Sequence, residues 1–423
     1  MTVEPRPNLH WRATHLLTAP HRLGFFLALV VLLASGAWWA VVQLDRVTGA
    51  IGLSFALSPS LVHGAVMTFG FIPLFFSGFL FTAGPKWLRV QGLAASQLSL
   101  PLGLQAIGWL LWVVGSHWRQ AVSLFGLAMA LSGLFWVTLL FWSLIRRSKE
   151  DDQLHARTVG VACAVGCLSI AGLLASVLVG ADALALACIL TGLWGFVVVV
   201  YVTVAHRMIP FFTSSAMPFI SARRPFWALG LMLSVAGLEV FAVWVELLGP
   251  TLGRGMEMWF LLRGALEVIA GGVLLWLAVI WGLMQSLKNK LLAMLHIGFV
   301  WLGLALVLGA VAQFVRWQTG APVLALGQLH ALTMGCLASL MLAMVTRVAC
   351  GHSGRALVAD ATVWTLFLAL QCAVILRISA ALPTTFGHWL VLGAALLWLA
   401  IMAVWGFRLM GWFGRLRADG RAG

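Results

Sequence analysis

Residues 25–42 read FFLALVVLLASGAWWAVV, eighteen in a row without a charged side chain. A helix rises about 1.5 Å per residue, so roughly 20 apolar residues cross the hydrocarbon core of a bilayer. Backbone polar groups find no water there, and a helix satisfies them internally. The run is read as the heart of a membrane-spanning helix over about residues 23–44, ending in the interfacial rings Trp38 and Trp39. A basic segment precedes it, and Ala34–Ala37 only faintly imitates a cleavage site, so the first helix is expected to stay uncleaved.

Outward from this stretch the pattern recurs, with spans near 60–84, 98–116, 121–145, 158–180, 183–209, 226–248, 258–285, 292–315, 322–347, 359–381 and 386–412. The fold expected is all-α: one transmembrane domain over residues 1–423, a polytopic bundle of about twelve helices in a lipid bilayer. Barrel strands would alternate polar and apolar residues in segments of about ten, and none does. Of 423 residues 62% are hydrophobic and 9% charged, against about a quarter charged in soluble domains, which excludes a water-soluble globule.

The formal charge of +14 is distributed by topology. Most basic residues flank the side that holds the N-terminus, as in Arg146, Arg147, Lys149 and Arg157, or Lys288 and Lys290. Few lie opposite, among them Arg46, Arg119, Arg316 and Arg377. By the positive-inside rule both termini are expected in the cytoplasm, and no nucleic-acid partner is implied. A second inner loop, 211–225, is expected to be irregular because Pro210, Pro218 and Pro225 punctuate it. The six cysteines fall in or beside apolar helices and read as packing residues.

Histidines carry the candidate chemistry, since a polar ring inside a membrane needs a partner or a task. The second span opens His63-Gly-Ala-Val-Met67, and the tenth contains His330-Ala-Leu-Thr-Met334. Both spans run inward, and both rings fall in the outer third. Gly64, Gly70, Ala331 and Gly335 are small enough for a flat macrocycle, or another helix, to approach. Two facing imidazoles suit the axial positions of a haem iron; the spacing fits plain helix packing equally well. His206, His296 and His352 form a second group near the cytoplasmic boundary, with Arg207, Arg347 and Arg355. Three converging imidazoles would suit copper or iron, and interface anchoring is the competing account. Glu239 and Glu267 are candidates for a proton path, although Arg263, four residues before Glu267, would pair with it on one helix face. Arg316 and Arg377 are placed to meet haem propionates or to snorkel to the interface.

The run from His63 to Pro73, with Ser77-Gly78-Phe79 and Gly84-Pro85, resembles the second-helix signature of haem-copper oxidase catalytic subunits, whose leading His is an axial haem ligand. Oxidases place their sixth-helix His deeper and its tyrosine after it, whereas Tyr201 precedes His206; their adjacent His pair on the seventh helix is absent. Four-electron oxygen reduction is therefore not expected. The chain is more similar to the NnrS family of bacterial membrane proteins, through His21-Arg22-Leu-Gly-Phe25-Phe26, Arg207-Met-Ile-Pro210-Phe-Phe-Thr213, Leu295-His296, His330 to Gly335, Thr346-Arg347 and Gly351-His352-Ser-Gly-Arg355. That resemblance implies twelve helices in the bacterial inner membrane, bound haem b and copper, and a role in nitric oxide metabolism during denitrification or nitrosative stress. An oxidoreductase acting on nitric oxide, or electron transfer through haem, would be the corresponding activity, and no motif identifies the electron donor. Two other expectations compete: a twelve-helix secondary transporter, disfavoured by the lack of an internal repeat, and a copper or haem assembly factor built on the inner histidines.

Overall fold

A computed structural model describes residues 10–217, 219, 223–249 and 255–417. Among the described residues twelve helices are long and apolar enough to cross a membrane: α1 Pro20–Thr48, α2 Pro59–Leu88, α3 Ala95–Trp118, α4 Gln120–Arg147, α5 Leu154–Leu178, α6 Asp182–Ala216, α7 Phe226–Leu248, α8 Gly255–Ile280, α9 Lys290–Thr319, α10 Ala325–His352, α11 Ala361–Ser379 and α12 Gly387–Phe413. No strand occurs among the described residues. Twelve spans put both chain ends on one side, here called the terminal end of the bundle.

Local chemistry sets many helix limits. Pro20 and Pro59 start α1 and α2, where a missing N–H costs nothing. Asn289 and Asp360 cap α9 and α11 by accepting from the amides of Leu292 and Val363. Gly49 and Gly320 end α1 and α9 at positive φ. Past α1, the Asp45 carboxylate accepts the amides of Ile51, Gly52 and Leu53 at 2.8–2.9 Å and folds the connection to α2.

The bundle closes on itself, because α1 packs against both α2 and α12. The segment before α1 and the first turn of α1 together hold the end of α12. Arg22 donates to the carbonyls of Phe413 and Arg415 at 3.1 and 2.6 Å, and Trp11 to that of Met410 at 3.0 Å. These carbonyls belong to or follow the last turn of α12, where an arginine meets unpaired acceptors and the negative end of the helix dipole. Elsewhere small residues let backbones meet. A Cβ at Gly108 of α3 would lie 2.7 Å from the Ala130 amide nitrogen of α4. Exposed apolar side chains such as Leu168, Phe241 and Phe407 face outward, as hydrocarbon requires.

The most buried helices, α2 and α10, are irregular, as is α6. Helix α2 breaks at Gly70–Phe71, where Pro73 has no N–H to offer the Phe69 carbonyl. Wider π-helical turns occupy Leu193–Val198 of α6 and Ala331–Ala338 of α10. Two expectations are corrected. Helix α6 runs through Pro210 to Ala216, so the irregular loop begins later than residue 211; Pro218 and 220–222 lie outside the described residues. Helix α10 continues past Arg347 and takes in His352 as its last residue.

Candidate functional site

At the end opposite the termini, α2 and α10 bring His63 and His330 within electrostatic reach of each other. The His63 ring stacks on Trp39 of α1, centroids 3.8 Å apart and planes 17° from parallel. Its Nδ1 is buried and has no hydrogen-bond partner among the described residues. His330 Nδ1 lies 2.7 Å from the Leu326 carbonyl one turn earlier. A carbonyl only accepts, so Nδ1 carries the proton and Nε2 keeps its lone pair, the tautomer that a metal-bound histidine adopts. The π-helical turn begins at the next residue and resets the facing of everything after it.

Arg377, at the end of α11, acts electrostatically on both rings, and Arg46, at the end of α1, on His63. Arg46 lies 5.3 Å over the Trp39 ring and donates to Ser60 at 3.4 Å. Among the described residues neither guanidinium has a carboxylate partner. A lone-pair nitrogen on α10, an unpartnered ring nitrogen on α2 and two unneutralised cations fit a haem with its propionates. Two of the small neighbours, Gly335 and Gly70, are packed closely by protein. A Cβ at Gly335 would sit 2.7 Å from the Trp301 ring of α9, and one at Gly70 2.8 Å from Val66 of its own helix.

Arg316 is elsewhere. Its Nη1 donates to Glu246 of α7 at 2.7 Å, and its guanidinium lies 4.3 Å over Phe260, so a local carboxylate holds it away from the histidine pair. Glu246 also accepts from Arg263, which donates to Glu239 at 2.6 Å and to Glu267 at 3.0 Å. Glu239, without a partner on its own helix, thus finds one on α8. Gln328 of α10 completes the group by donating to Glu267 at 3.2 Å.

The histidines expected to converge at the terminal end each have different partners. His206 Nε2 donates to the Pro225 carbonyl at 3.1 Å, so its Nδ1 must accept from His155 Nε2, also at 3.1 Å. His155 Nδ1 is left buried and unpartnered among the described residues. Thr213 donates to the Ile209 carbonyl and accepts from His296 Nε2 at 3.0 Å, leaving His296 Nδ1 in the same condition. His352 lies against His21 of α1, centroids 4.3 Å apart, with Lys86 in electrostatic reach of both. Among the described residues no three His, Cys, Asp or Glu side chains gather as a metal site. Arg207, Arg347 and Arg355 lie over Trp87, Phe212 and Trp412, at 5.0, 3.8 and 4.3 Å, so each has a cation–π role.

Sequence reasoning assigned no role to His21, His155, Glu246 or Gln328. Two signals were readable: Glu246 follows Glu239 by seven residues and shares its face, and His21 opens a quoted motif. Between the two ends a cavity of about 60 Å³ is lined by apolar side chains, among them Phe25, Phe75, Phe76, Met208, Met341 and Met344.

A comparison with curated proteins finds no match. The family model described as NnrS protein matches residues 15–417, nearly the whole chain and every element of the bundle. The chain belongs to the NnrS family.

Proposed function

We propose that the chain binds a haem b between His63 and His330 and serves nitric oxide metabolism in a bacterial inner membrane. The observation that carries this reading is the pair itself: two imidazoles on different helices, one with its Nδ1 proton fixed on a carbonyl, beside two cations without carboxylate partners among the described residues. When bound, the haem supplies a one-electron couple whose potential its ligands and burial set. The protein's part is to hold the rings. Leu326 fixes the tautomer of His330, Trp39 fixes the plane of His63, and Arg377 and Arg46 offer charge to the propionates. Nitric oxide is small and uncharged, so the apolar cavity between α1, α2, α6, α9 and α10 gives it a dry place inside the bundle. Membership of the NnrS family supports the physiological part of the reading.

Purification in lipid nanodiscs followed by extraction of the pigment tests the proposal. Stoichiometric haem b with a low-spin spectrum is expected. A monodisperse protein lacking haem after expression with haem supplied would contradict it, and copper in its place would favour an assembly role.

A further inference from the structure

Five charged side chains meet where α7, α8 and α9 adjoin, in the half of the bundle that holds the histidine pair. Three are carboxylates, Glu239, Glu246 and Glu267; two are guanidiniums, Arg263 and Arg316. Fully ionised, the group carries one uncompensated negative charge. Glu239 and Glu267 are each 1% exposed, and an unpaired carboxylate at that depth costs far more than taking a proton from neutral water.

The hydrogen bonds indicate where that proton belongs. Glu246 has both oxygens engaged, one by each guanidinium. Glu239 Oε1 and Glu267 Oε2 are buried and lack a donor among the described residues. Both accept from neighbouring nitrogens of one guanidinium, Glu239 from Arg263 Nη2 at 2.6 Å and Glu267 from Arg263 Nε at 3.0 Å, which brings the two carboxyl groups side by side. A proton on either lets it donate to the other, and satisfies both oxygens at once. Gly309 of α9 keeps the space open: a Cβ there would lie 2.8 Å from Glu267 Oε2 and collide with Gln328 Nε2. One turn on, Gln313 is buried with its own Oε1 unpartnered, a further acceptor on that face of α9.

We propose that Glu239 and Glu267 share a single proton and form an internal proton-binding site, joined through Gln328 to the helix that carries His330. The proton site does not rest on the haem reading.

Infrared spectra of the purified protein in nanodiscs, in H2O and D2O, test it. The wild type should show a protonated-carboxyl C=O band that shifts on deuteration. Glu239→Gln and Glu267→Gln each leave two carboxylates facing two guanidiniums, so each variant alone should lose the band while the amide bands stay unchanged. A wild type without the band overturns the proposal, whether or not the variants fold. So does a band that survives in either folded variant. The band is read equally with and without haem, so its absence is distinguishable from failure to bind haem.

Discussion

At the scale of single residues, the two outer arginines differ in what surrounds them. Arg316 is neutralised by Glu246, whereas Arg377 stands in the field of two imidazoles with no carboxylate among the described residues. On the haem reading proposed above, replacing Arg377 by Gln would remove a cation beside the haem and favour the more positive, oxidised state. Redox titration should show a lower midpoint potential, roughly 59 mV being a tenfold shift in a one-electron equilibrium. Arg316→Gln should leave that potential nearly unchanged and instead lower thermal stability, because it leaves Glu246 with Arg263 as its one guanidinium partner and that guanidinium facing three carboxylates. An unchanged potential in Arg377→Gln would separate that residue from the haem. The chemistry-bearing residue types were legible in the sequence, as was the Arg263–Glu267 pair four residues apart on one helix, but partners on other helices were not. Nothing along the chain says that His206 meets His155 on α5 rather than His296 or His352, because the choice depends on which helices adjoin.

At the scale of elements, the helices themselves were legible, since hydropathy is a local sum over about 20 residues. Their irregularities were less so. Pro73 accounts for the break in α2, but no residue signals the π-helical turns of α6 and α10. The paired arms α3 and α4 permit a direct test of packing. Gly108→Val would push side-chain carbons into the Ala130 backbone and should cost about 1–3 kcal/mol, measured as a lower thermal midpoint. Outside the spans, hydrogen bonds from Arg408 hold the Asp360 carboxyl below the usual carboxylate range, one of them at 3.0 Å. A lowered folded value contributes stability that is present above the unfolded value of about 3.9 and lost as pH falls through the folded one. Asp360→Asn keeps an N-cap side chain and removes the ion pair, which is partly exposed and worth about 0.2–1 kcal/mol. Its deficit against the wild type should be present at neutral pH and shrink below about pH 4. A deficit independent of pH would assign Asp360 to capping alone.

At the scale of the whole molecule, twelve spans fix the termini on one side, and the basic loops predict which side that is. Reporter fusions in the 146–157 loop should read as cytoplasmic; a periplasmic signal would invert the bundle and move the histidine pair to the cytoplasmic half. The histidine pair and the carboxylate group share the end opposite the termini, and both touch α10. The account therefore depends most on whether His63 and His330 hold one haem. The direct measurement is the optical spectrum and haem content of His63→Ala and His330→Ala, each purified as a folded protein beside the wild type. On the proposed reading each replacement would remove one of the two residues that hold the haem, so each should abolish the low-spin spectrum and lower haem content. If both variants keep the wild-type spectrum, the pair is not the haem site.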